Sequence, residues 1–124
     1  MCEVSSLYCY EMTPLYDVLS AYPLLGNGAN QLAPHDAKLA MAVRGKNTHW
    51  HMGRIMRRHW NAMARRCGLR ISAEELIESI IEKTPRVVAA IEHSLPHDFP
   101  AVVAEPTLSG LISRMEQFAR MPAN

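Results

Sequence analysis

The sequence predicts a mainly α fold of four or five helices, with a short β element near the N-terminus. Three observations predict it. Apolar residues recur at three- and four-residue spacing over two long stretches, Met52 to Cys67 and Leu76 to Leu95. Helix starts and stops stand where those stretches begin and end. Finally, 124 residues with 48% hydrophobic content suffice for one domain with a real core, spanning 1–124.

Leu7 to Met12 is short, aromatic and mildly alternating, and reads as a strand. Thr13 and Pro14 then read as a helix start. Threonine accepts from freed N–H groups, and proline at the first helical position loses no bond. That helix would carry Leu15, Val18 and Leu19 on one face, and Pro23 would end it. Leu24 to Pro34 is a loop around Gly26-Asn27-Gly28. Leu39 to Val43 is a strand or a helical turn, which periodicity does not decide. Arg44 to Asn47 is a turn.

From Met52 the helical period is clear. Met52, Ile55, Met56, His59, Trp60, Met63 and Cys67 share a stripe, most arginines fall opposite, and Gly68 is a left-handed stop. Ser72 and Glu75 form a capping box for the next helix. Pro85 should kink that helix or divide it, with Thr84 as a second cap. Leu95 to Pro100 is a turn. A last helix follows, bent at Pro106, with Val102, Val103, Leu108, Leu111, Ile112, Met115 and Phe118 inward, and residues 121–124 should fray.

A formal net charge of +1 gives no reason to expect nucleic acid. The distribution of charge says more. Lys38 to Arg70 holds nine basic residues and no acidic one, whereas Glu74 to Glu105 holds seven acidic residues against Lys83 and Arg86. The basic helix face of Arg54, Arg57, Arg58, Arg65 and Arg66 has two readings. It is a solvated face paired with the acidic helix, or a surface for phosphate or a partner, led by Arg54, Arg57 and Arg58. No helix-turn-helix or zinc-finger spacing supports base reading.

Cys2, Cys9 and Cys67 make no disulfide framework and no metal spacing, which fits a reducing cytoplasm. No secretory leader and no membrane-spanning run are expected. Strand spacing would set His49 and His51 on one face, but no Cys, Asp or Glu lies near them in sequence. They read as surface or turn histidines, and His59 as a hydrogen-bonded core residue. The methionines of the stripe read as core filler, and Cys67 has no activating base ahead of it.

Three stretches resemble the C-terminal helical part of HipA-like serine/threonine kinases, the toxins of HipA/HipB toxin–antitoxin pairs. They are Leu7 to Pro23 (LYCYEMTPLYDVLSAYP), Lys38 to Val43 (KLAMAV) with Arg58-His59-Trp60 downstream, and Ser94 to Pro100 (SLPHDFP). The resemblance covers 7–118, and the first stretch is its most specific part. It implies a helical bundle like the C-terminal lobe of those kinases. It also implies that Asp17 takes the place of a magnesium-holding aspartate, a role that hard oxygen suits.

The intact family uses magnesium and ATP. Here only Met1 to Ser6 precede the first stretch, and they do not match the family's catalytic segment with its base aspartate and metal-binding asparagine. Nor does Gly26-Asn27-Gly28 follow a strand and open a helix as a phosphate loop does. The chain is therefore expected to need no cofactor and to lack kinase activity alone. Its expected partners are a HipB-like antitoxin, a missing N-terminal kinase lobe, nucleic acid, or a second copy in a homodimer.

Overall fold

The computed structural model describes residues 13–69 and 73–123. The fold is mainly α, with three helices and a small two-stranded sheet among the described residues. Strands β1 (Lys38–Arg44) and β2 (Thr48–His51) form an antiparallel hairpin. Helix α1 (Arg57–Arg66) follows, then the long pair α2 (Ala73–Ser94) and α3 (Ala101–Arg120). Short 3-10 turns occupy Tyr22–Leu24 and Met52–Arg54. The strand expected at Leu7 to Met12 lies outside the described residues, as does Ser72 of the capping box.

The ambiguous run Leu39 to Val43 is strand. Its register is irregular: Val43 faces His49 and Arg44 faces Thr48, but Lys38 faces His51, so β1 carries extra residues in between. Such a bulge bends the strand and leaves residues unpaired, and Met41 is 84% exposed there. At the hairpin's tip Gly45 is buried against α1. A Cβ on Gly45 would lie 2.5 Å from the Ala62 Cβ, so the tip needs glycine for close approach.

Helix α1 starts later than its apolar spacing suggests. Met52–Arg54 closes as a 3-10 turn and Ile55 and Met56 are extended, so helical dihedrals begin at Arg57. The stop is as expected. Gly68 has φ +69°, and its N–H donates to the Arg65 carbonyl at 3.2 Å while Leu69 N–H donates to Ala64 at 3.1 Å. Those two bonds are a Schellman ending, which satisfies carbonyls that a helix end leaves free.

Pro85 does not divide α2, which runs unbroken from Ala73 to Ser94. Thr84 is not a second cap. It is buried mid-helix, and its hydroxyl donates to the Ile80 carbonyl at 2.7 Å. Buried Thr84 and Val88 flank the proline, so packing on both sides holds the axis against the lost backbone bond. Helix α3 likewise continues through Pro106.

Among the described residues the buried apolar set is short and rich in small residues: Ala37, Val43, Ile55, Ala64, Ala73, Val88, Leu108 and Phe118. Of the inward residues expected on α3, Leu108 and Phe118 are buried, but Val102 is 76% exposed and Val103 and Ile112 also reach solvent. The tail is held rather than frayed as far as 123. Met121 N–H donates to Phe118 at 3.1 Å, and the Ala123 carbonyl accepts from Asn61 Nδ2 at 2.6 Å.

Candidate functional site

The helix expected from Thr13 to Pro23 does not form; residues 13–20 carry no regular structure. Two physical reasons stand out. Leu15, Val18 and Leu19 are 86%, 74% and 90% exposed, so the apolar face buries against no described residue, and an isolated short helix is marginal without packing. Asp17 itself has φ +54°, a left-handed conformation that a right-handed helix cannot contain. The side chain expected to hold magnesium is thus exposed on an irregular segment. Among the described residues no group of three His, Cys, Asp or Glu is placed to hold a metal ion. Magnesium favours an octahedron of oxygens, and one exposed carboxylate supplies a single corner. The described residues therefore do not fit a resident magnesium ion, and no chemical step follows from one.

The histidines sit in β2 and α1 rather than on turns. His49 and His51 are both half-buried, two residues apart along β2. The His49 ring stacks on that of His59, with centroids 3.6 Å apart and planes 9° from parallel. His51 Nδ1 lies 3.2 Å from the His35 carbonyl. His59 Nδ1 accepts the Met56 N–H at 3.1 Å, so the ring at the third helical position satisfies the backbone donor of the N-cap residue, as the second half of a capping box does. Burial first, then the neighbouring His49 and Arg58, hold the His59 pKa below the ordinary histidine value. A ring that must keep Nδ1 unprotonated to cap a helix is a structural element, as expected for His59.

The arginines divide. Arg54, Arg58, Arg65 and Arg66 are exposed, and Arg66 Nη1 also donates to the Gly45 carbonyl at 3.1 Å. Arg57, expected among the phosphate contacts, is 5% exposed and engaged throughout. Its guanidinium pairs with Glu74 and Glu78 of α2 and donates to the Phe118 carbonyl of α3 at 3.2 Å. It is a clasp across three helices, and burial takes it off the basic face. One turn along α1, Asn61 Nδ2 donates to Glu74 Oε1 at 2.6 Å. The hydrogen bond from Arg57 lowers the Glu74 pKa, against the opposing effect of burial, and Asn61 adds to it. Asn61 Oδ1 is buried without a hydrogen-bond partner among the described residues.

Pairing with the acidic helix is one of the two readings of the basic face, and Arg57 makes that pairing, though buried rather than solvated. Arg57 and Asn61 stand four apart on α1, and Glu74 and Glu78 stand four apart on α2. Each pair occupies one helix face, and the two faces are complementary. Cys67 is exposed and free. No helix among the described residues is long and apolar enough to cross a membrane. No family model matches the chain.

Proposed function

We propose that this chain is a HipA-like helical domain, related to the toxin of a toxin–antitoxin pair, that has no kinase activity alone and acts by docking. Its partner is a nucleotide-binding kinase lobe or a HipB-like antitoxin in the cytoplasm. The observation that carries this reading is the uncovered apolar segment around Asp17: Leu15, Tyr16, Val18 and Leu19 are each at least 74% exposed. Contiguous exposed apolar surface of that kind marks an interaction site.

The test is a thermal shift with magnesium and ATP on the wild-type chain and on Asp17→Asn, beside a phosphotransfer assay. The expected result is no shift in either protein and no transfer. A shift in the wild type that Asp17→Asn abolishes, or a single turnover of phosphotransfer, would overturn the claim of inactivity.

A second reading is a binding module for nucleic acid, favoured by the exposed Arg54, Arg58, Arg65 and Arg66. Binding through phosphates weakens steeply with salt. DNA affinity that falls with salt and with Arg54→Ala/Arg58→Ala, but not with Arg57→Met in a folded protein, would select it.

A further inference from the structure

The helices pack on one another but leave space between them. A cavity of about 660 Å³ lies between β1, α1, α2 and α3. It opens to solvent, and its volume falls in the range of roughly 300–1,000 Å³ typical of small-molecule sites. Its walls are apolar, formed by side chains such as Leu39, Ile55, Trp60, Met63, Ile77 and Phe118. The polar lining differs: it includes Ser113, Arg114 and Gln117 of α3 and Tyr22, with Gln117 bonded to Arg114 and Tyr22 close to Arg114.

Arg114 is the one charged side chain among the described residues that line the cavity. Its Nη2 donates to the carbonyls of Met52 at 2.8 Å and Ile55 at 2.7 Å, and its Nη1 to Gln117 Oε1 at 3.0 Å. The guanidinium carbon lies 4.7 Å from the Phe118 ring centroid. These neighbours are all formally neutral, and among the described residues no carboxylate forms an ion pair with Arg114. Arg57 makes the contrast, since its buried charge is met by two glutamates. A half-buried cation without a counter-charge costs free energy, which an incoming anion offsets.

A chamber that is apolar over most of its wall and positive at one corner is complementary to an amphiphile with an anionic head. We propose that this cavity binds a single-chain fatty carboxylate of medium length, with the alkyl chain among Leu39, Trp60, Met63 and Ile77 and the carboxylate on Arg114. The hydrogen bonds already made use both Nη2 hydrogens and one of Nη1, leaving Nε and the other Nη1 hydrogen as donors. The site is independent of the docking segment around Asp17, so the two readings stand or fall separately.

Trp60 lines the cavity and the chain's other tryptophan, Trp50, is exposed on β2. The Trp50→Phe protein therefore reports from the cavity through Trp60 alone. The experiment titrates it with 10-bromodecanoate, whose bromine quenches nearby indole, and competes with decanoate, octanoate and decanol below their micelle or solubility limits. Saturable quenching at one ligand per chain is expected. Decanoate should compete about 16-fold better than octanoate, at about fourfold per methylene. Decanol should compete at least about tenfold worse than decanoate, for want of a charge-assisted bond.

Arg114→Gln should lose the preference for decanoate over decanol. Should that variant fail to fold, as circular dichroism would show, the comparison on Trp50→Phe still decides. Absence of saturable quenching overturns the proposal, and so does equal competition by decanol, which would make the cavity an apolar void with no anion selectivity.

Discussion

Arg57→Met keeps an apolar stem of similar reach and deletes the group that ties α1 to α2 and α3. The Phe118 carbonyl then loses its donor, and an unsatisfied buried acceptor costs about 1–3 kcal/mol. Glu78 turns to water easily, because its side chain is already 61% exposed, and exposed pairs are worth about 1 kcal/mol or less. Glu74, with a side chain only 24% exposed, keeps Asn61 but loses its cation, at about 1 kcal/mol. The expected total is about 3 kcal/mol, the low end of the roughly 3–5 kcal/mol found when a buried pair is broken. At about 4 °C per kcal/mol for a domain of this size, Tm should fall by about 12 °C. Urea denaturation followed by far-ultraviolet circular dichroism measures it directly. A cycle with Glu74→Gln should return a coupling of about 1–2 kcal/mol. A loss under about 1 kcal/mol, or additive effects in the cycle, would refute the view that this clasp holds the helices together.

Other perturbations have equally definite outcomes. Gly45→Val should cost about 1–3 kcal/mol by overpacking against Ala62, and Gly110→Ala should displace the Tyr22 ring from α3 at similar cost; denaturation midpoints and Tyr22 proton shifts report each. Gly68→Ala places a side chain at φ +69° and should cost about 1 kcal/mol by the same assay. Two pH effects share a sign. His59 is harder to protonate folded than unfolded, so its stabilisation is intact above the ordinary value of 6.5 and declines as pH falls below it. Glu74 holds its proton less tightly folded, so its contribution persists above the ordinary 4.5 and is lost as pH falls through the lower folded value. Urea midpoints from pH 8 to pH 3 should show both declines, and His59→Gln should remove the upper one.

The elements that sequence reading located well are those whose signal is local and repeated. Helices α2 and α3 carry many turns of amphipathic spacing, and Gly68 needs only its own backbone to end α1. Where the outcome depends on distant chain, local pattern misleads. Thr13 to Pro23 has a cap, a proline and an apolar stripe, yet no described neighbour receives that stripe, so the helix is absent. Pro85 is a helix breaker by local rules, but Thr84 and Val88 are buried on either side of it. Helical period puts Arg57 on a face expected to be solvated and paired with the acidic helix; the pairing forms, but its burial depends on carboxylates 17 and 21 residues away. The metal role of Asp17 follows from resemblance alone, and nothing in its own spacing foretells a left-handed backbone.

The contacts that secure α1 have a consequence for how the molecule is made. Arg57 reaches Phe118 across 61 residues, and Asn61 reaches Ala123 across 62. During synthesis, which runs from the N-terminus, α1 emerges long before either acceptor exists. Until then its arginine and asparagine stand without those partners. The pairing with Glu74 and Glu78 can form once α2 is made, but the contacts to Phe118 and Ala123 wait for the end of α3. Ribosome-stalled chains ending near residue 110 should therefore be cleaved readily by protease around α1, and chains released past residue 123 should resist.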